Sequence, residues 1–517
     1  MRPSISALFG AGMHVLEPVH ERSPVVRPHV RRVNFASSIN RLATAAILAV
    51  LASGQLSAAP VQGEVINFQL ENGLVEQCVR IADFPSAHYT KHDRKQEKQY
   101  CALDFSQLAL CPKLWSTSPG TILYAIDVDA YAGDYTRFEH QQCAKGHHAR
   151  DAAQDKPATF KISVNGRDTS ATYAPASWVY YHFSRYFHTN THVPVAVYRS
   201  MDAASHNARV TKPALEIIGD RHSLRMLGAG WRFLDAVETG SDTGASGTAA
   251  ALTDDGRQVF GVLIDNKGDR YGPEFNGTRE SGWGSGQNND FQQTAPFLAL
   301  RMDQPVADAA RTAIAEARKN PLMAKALAAD TPVEQVVLWM QDVLEITLLD
   351  YILGQQDRIG NIDYNWRWYW VEDGKLESEP AHGKDVPGKY AAFMPVRLKQ
   401  SAINDNDAGV RRGYADFAVK THMLEGLRHY NAKLYQRLGH LAADMTDKGP
   451  AWQWMTEAAG LSSREAETIA KRTIDAFNLL QADCKSGALK LDIFPAQALA
   501  PAADAQAEKS HSCDISH

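Results

Sequence analysis

The stretch from Thr331 to Asn361 constrains the fold most. Thr331-Pro-Val-Glu334 has the order of a helix N-cap, a proline at the first helical position and a glutamate two residues further on. Apolar residues then recur at Val336, Val337, Met340, Val343, Leu344, Leu348, Tyr351 and Ile352, which predicts a helix with one buried face. Gly354 can end it in the left-handed conformation. Gln355-Gln-Asp357-Arg-Ile-Gly-Asn361 follows as a polar loop with a carboxylate, a guanidinium and an amide. Groups at the end of a core-docked helix are held rigidly, which suits chemistry.

The chain has 517 residues, enough for two or three domain-sized cores or one large bilobal enzyme. With 22% charged and 44% hydrophobic residues and a net charge of −5, it has no basic excess suited to nucleic acid and no bias toward disorder throughout.

The first residues differ. Arg22, Arg27, Arg31, Arg32 and Arg41 precede the apolar run Leu42 to Ala52, and small residues follow at Ser57-Ala58-Ala59. A basic flank, a short apolar run and a small-residue site predict an export signal over 1–59, cut after Ala59. The run is well short of the roughly 20 apolar residues that span a bilayer, so the membrane enters only through an uncleaved N-terminal anchor. Six cysteines (Cys78, Cys101, Cys111, Cys143, Cys484 and Cys513) all lie behind this segment. An even count in an exported chain predicts disulfides, with fifteen pairings open. Export to a periplasm, to the medium or into a secretory-pathway lumen is the expected localisation.

Beyond the signal, 60–157 reads as a cystine-braced region with a strand at Thr121 to Val128. His140, Cys143, His147 and His148 have spacings that can bind zinc, but Cys143 is better used in a disulfide. Phe160, Ile162 and Val164 alternate with Lys161 and Ser163, and Asn165-Gly166 signals a hairpin. An aromatic helix over Ser177 to Phe187 and a strand over His192 to Arg199 come next. This order, with a lone lysine on the first strand, suits the small lobe of a kinase-like fold at 158–300.

Val259 to Ile264 reads as a strand. Gly282-Trp-Gly-Ser-Gly286 could cradle phosphate, but no helix pattern opens behind it, so a flexible loop is the better reading. In the large lobe, 301–498, the strand Tyr364 to Val371 turns at Asp373-Gly374. A loop covers 377–390, and Val396 to Ile403 returns as a strand that delivers Asp405. Helices follow at His422 to Met445 and at 463–482. The tail, 499–517, is disordered unless Cys513 tethers it.

Phosphoryl transfer needs a carboxylate to orient the acceptor hydroxyl, a cation between the phosphates, and oxygen ligands for that cation. Asp357 suits the first role, and Asn361 and Asp405 the last. Lys161, opposite the apolar face of its strand, can hold phosphate.

The segment Leu348-Leu-Asp350-Tyr-Ile-Leu-Gly-Gln-Gln-Asp357-Arg, with Asp405-Asn-Asp-Ala-Gly409, resembles the secretory-pathway atypical kinases that include four-jointed and the Golgi casein kinase. His182-Phe-Ser-Arg185, Val193-Pro194 and Leu424 to Leu438 are similar to further parts of that family. The likeness runs loosely over 158–440. It implies an α+β, bilobal protein-kinase-like fold, ATP with Mn or Mg, and phosphorylation of a protein or glycan acceptor. Asp357 would match the catalytic aspartate, Asp405 the metal aspartate and Lys161 the nucleotide lysine.

Three departures stand out. Ser177 occupies the place of the acidic residue that partners the lysine, which leaves the lysine free to swing. Ile362 stands where a metal-binding side chain belongs, with Asn361 one short and Asp363 one beyond. The interval between the two loops is longer, with the 377–390 excursion inserted. An exported, metal-dependent phosphotransferase is the leading expectation. A pseudokinase acting as a binding or allosteric partner is the alternative.

Overall fold

The central helix, Val333–Leu353, is apolar enough to need a core on every side, and every residue from Gln335 to Leu353 is buried. The expected single buried face is therefore too narrow a description. Gly354 ends the helix in the left-handed region (φ 65°) and donates its N–H to Asp350 O. The N-terminal capping box does not form. The Thr331 hydroxyl donates backward to Ala328 O at 2.9 Å, and Pro332, with no side-chain acceptor, becomes the N-cap.

The computed structural model describes residues 61–241, 251–266, 268–382, 385–499 and 512–515. The signal expected over 1–59 lies outside them. The architecture is mixed α+β. A seven-stranded antiparallel sheet has the order β1-β2-β6-β7-β5-β4-β3, from β1 (Gly63–Gln69), β2 (Val75–Ile81), β3 (Ala109–Pro112), β4 (Thr121–Ala125), β5 (Asp155–Ile162), β6 (Val197–Asp202) and β7 (Gln258–Ile264). Strands on both sides of residue 158 thus share one sheet.

The aromatic helix, Ala174–Phe187, packs on this sheet with almost every side chain buried. The strand expected from His192 begins only at Val197; His192 instead makes a single parallel bridge to Ala402. Asn165-Gly166 does not make a two-residue hairpin. Val164 bridges Thr172 around a wider loop, because Asn165 Nδ2 donates across it to Thr172 O at 2.7 Å.

A smaller antiparallel sheet runs β10-β9-β11, from β9 (Ile362–Glu372), β10 (Lys375–Pro380) and β11 (Val396–Ile403), with the short β8 (Asp269–Arg270) also paired to β9. The β9–β10 turn falls at Asp373-Gly374, both at positive φ, as its residues predict. Within 377–390, strand β10 and a short helix, Val386–Lys389, stand where a loop was expected. The helix expected from His422 starts only at Ala432, capped by Asn431, whose side chain accepts from Leu434 N.

Three disulfides form, Cys78–Cys101, Cys111–Cys143 and Cys484–Cys513. Bonds of this kind persist in oxidising compartments. Cys143 is consumed by its bond, so the zinc spacing loses its thiolate. Cys513 tethers the described tail residues, and Tyr435 OH donates to its carbonyl at 2.8 Å. Among the described residues no helix is long and apolar enough to cross a membrane.

A buried acid pair joins these parts. Glu345 accepts from the N–H groups of Asn190 (2.9 Å) and Thr191 (2.8 Å); Asp342 accepts from Asn190 Nδ2 (2.6 Å) and Ser401 N (3.0 Å). Neither acid has a cationic partner among the described residues. Burial pushes Asp342 up to about 6; burial and then the Asp342 charge push Glu345 up to about 7.

The fold therefore holds these protons more tightly than the unfolded chain does. The stability contributed by the neutral forms is present below the ordinary carboxylate range and is lost as pH rises toward 7. Glu345→Gln should flatten that decline by on the order of 2 kcal/mol, read as thermal midpoints across pH. An unchanged pH slope would contradict the assignment.

Candidate active site

Lys161 is presented by β5, which lies between β4 and β7 near the middle of the large sheet. Its side chain is buried, and Nζ lies 2.8 Å from Asp405 Oδ1 and 3.1 and 3.3 Å from the two oxygens of Asp407. The lysine expected to swing is thus fixed by two carboxylates. Burial works against its charge, but Asp405 and Asp407 outweigh it and hold the ammonium above the ordinary lysine range. Reciprocally, the Lys161 ammonium holds Asp405 well below the ordinary carboxylate range, against burial.

Asp405 follows β11 in the left-handed conformation (φ 50°), which aspartate tolerates better than most residues. The turn behind it is tied down on two sides. Tyr173 N, at the head of the aromatic helix, donates to Asp407 O at 2.6 Å, and Gln356 N, in the loop after the central helix, donates to Ala408 O at 3.0 Å. Lys161 thus faces two carboxylates, and the Lys113 ammonium also acts on Asp405. Among the described residues Asp405 Oδ2 has no hydrogen-bonding partner, and a third of the Asp405 side chain is exposed (32%).

Asp357 stands beside this cluster, close enough that the Asp405 and Asp407 charges act on it. Its N–H donates to Gln355 Oε1 at 3.0 Å, and its Oδ1 accepts a long bond, 3.4 Å, from Trp283 Nε1. Burial raises its carboxyl above the ordinary range, and the Trp283 bond opposes that rise. Among the described residues Oδ2 is unpartnered, so it is the atom available to a proton. Asn361 donates to Asp357 O at 2.9 Å, but its own Oδ1 accepts from Arg270 Nη1 at 2.9 Å. Asp363, one residue beyond Ile362, pairs with Arg270 and Asn404. The oxygen that a metal-binding Asn361 needs is therefore occupied.

Three residues of the site escape sequence reasoning. Asp407 lies two positions after Asp405, and its acidity was visible, but its inward direction depends on the turn. Lys113, just after β3, makes no ion pair among the described residues; burial and then the Lys161 charge hold its ammonium below the ordinary lysine range. Trp283 sits in the glycine stretch expected to be a flexible loop. A short helix, Ser285–Phe291, opens directly behind it with Gly284 as N-cap. The loop is pinned by Gln287 N donating to Gly282 O (2.7 Å) and Ser281 Oγ donating to Asp290 Oδ1 (2.7 Å).

Lys161→Met should cost about 3–5 kcal/mol in denaturant titrations, because it leaves two carboxylates without their cation. Adding Asp405→Asn should recover part of that loss; strictly additive costs would mean that the pair is not coupled. Compared with known proteins, the chain matches no family model and no curated protein.

Proposed function

We propose that the protein is an exported, kinase-like phosphotransferase that moves the γ-phosphate of ATP to a hydroxyl of a protein or glycan with Mn or Mg. The reading is supported above all by the contact of Lys161 with Asp405 across 244 residues of sequence, with Asp357 alongside. The resemblance to the secretory-pathway kinases and a bilobal arrangement belong to this proposal.

The donor set suits a hard cation. It consists of oxygens, and among the described residues Asp405 Oδ2 is unpartnered and the buried Asn404 Oδ1 has no hydrogen bond. Asp405 would hold the ion, with Asn361 joining it only on leaving Arg270. When bound, such an ion neutralises charge on the phosphates. Lys161 and Lys113 supply ammonium groups for the phosphates. Asp357 Oδ2 orients the acceptor hydroxyl and takes its proton, a task for which its raised proton affinity is suited. Disulfides and the N-terminal signal pattern support export.

The second reading is a pseudokinase that binds a partner without turnover. It is favoured by Ser177 in place of an acid and by the occupied Asn361 Oδ1. Thermal-shift titration of ATP with and without Mn or Mg separates the two. The enzyme reading expects metal-dependent stabilisation of several degrees in the wild type, reduced in Asp405→Asn. It also expects Asp357→Ala to cut phosphate transfer by at least about 100-fold while ATP still binds. Stabilisation without transfer supports the pseudokinase, and no stabilisation by metal and ATP removes the enzyme reading.

A further inference from the structure

We propose that Trp283 is the positioning residue for Asp357: its indole N–H reserves Oδ1, leaves Oδ2 for the acceptor, and its exposed face walls the acceptor side of the site. The inference rests on the phosphotransferase reading for its consequence, but not for its geometry.

Among the described large apolar side chains Trp283 is the most exposed, at 67%. Its exposed ring stands at the edge of the polar site, beside Asp357. The backbone is built to keep it there. Gly282 and Gly284 flank it at φ 80° and 81°, a conformation that side chains resist. A Cβ on Gly286 would meet Ser281 O at 2.1 Å, so close packing requires that glycine, while one on Gly284 would press on Phe417 at 3.2 Å. The bonds from Gln287 and Ser281 close the loop from behind.

Phe417 meets the indole edge-on, with ring centroids 5.4 Å apart, which fixes its tilt. The result is one N–H aimed at one carboxylate oxygen, 3.4 Å away. A carboxylate that rotates freely offers either oxygen to an acceptor; one whose first oxygen is engaged offers the second in a defined direction. The same bond favours the ionised form, which a group receiving a proton must have.

The test compares Trp283→Phe, which keeps a ring and removes the N–H, with wild type. Subtracting the variant's emission from the wild type's isolates Trp283 among ten tryptophans. At one fixed pH, that difference emission should shift when the subtraction is repeated in an Asp357→Ala background, where the acceptor oxygen is gone. An identical difference emission in the two backgrounds overturns the contact.

With Mn and ATP, and water as acceptor, phosphate release is then followed at one fixed pH. Trp283→Phe should lower kcat about threefold with the KM for ATP and the thermal midpoint unchanged. An unchanged kcat, or a loss that appears in the KM for ATP or in the thermal midpoint, would overturn the proposal. No turnover in the wild type removes the reaction, and any catalytic role of Trp283 with it. The emission comparison then still decides the contact with Asp357, so the two failures are distinguishable.

Discussion

The guanidinium of Arg358 is the interaction on which the site depends. It is buried, and it donates from Nε and Nη2 to the two oxygens of Asp350 at 2.9 and 3.0 Å. Its remaining reach is spent on Asn404 O at 2.6 Å and Asn406 Oδ1 at 2.9 Å. Asp350 also accepts from Tyr180 OH of the aromatic helix at 2.9 Å. One planar cation therefore joins the end of the central helix, the loop carrying Asp357, the turn carrying Asp405 and the helix packed on the large sheet. A guanidinium suits this, because its fork of donors meets a carboxylate in two places and still serves others. Lysine could not hold four segments in one geometry.

Around that junction the polar groups of the core are organised in layers. The pair Asp342 and Glu345 sits two turns back along the central helix and binds the backbone before β6 and within β11. Arg358 binds the turn after β11, and Lys161 closes the same turn from the large sheet. Each is a buried polar contact that is costly unless complete. Together they set where Asp405 and Asp407 lie relative to Asp357 more strictly than apolar packing does.

Much of the fold was legible because it is written in local chemistry. Gly354 ends its helix, Asp373-Gly374 turns its hairpin, β11 spans Val396 to Ile403 and the aromatic helix forms, each where the residue types demand. Misreadings arose where a competing partner was distant or a direction was ambiguous. Thr331 bonds backward, so the capping box is lost. Asn165 spans a wide loop, so the hairpin is lost. The strand expected at His192 is delayed because its backbone pairs with β11, far along the chain. Glycines at 282, 284 and 286 looked like a flexible loop because composition does not show that Gly284 packs on Phe417, far along the chain, or that Gly286 closes on the Ser281 carbonyl.

The amino-acid sequence by itself determined that Asp357, Arg358 and Asn361 follow a core helix, that Asp405 follows a strand, and that Lys161 opposes an apolar strand face. It did so because periodicity, capping and turn chemistry act over a few residues. Only the tertiary structure decided that Lys161 finds its carboxylates in Asp405 and Asp407, that Arg270 occupies Asn361, that cysteines pair as they do, and that Trp283 reaches Asp357. Those outcomes rest on charges and hydrogen bonds between groups tens to hundreds of residues apart, and a charge shows no partner until the chain has closed around it.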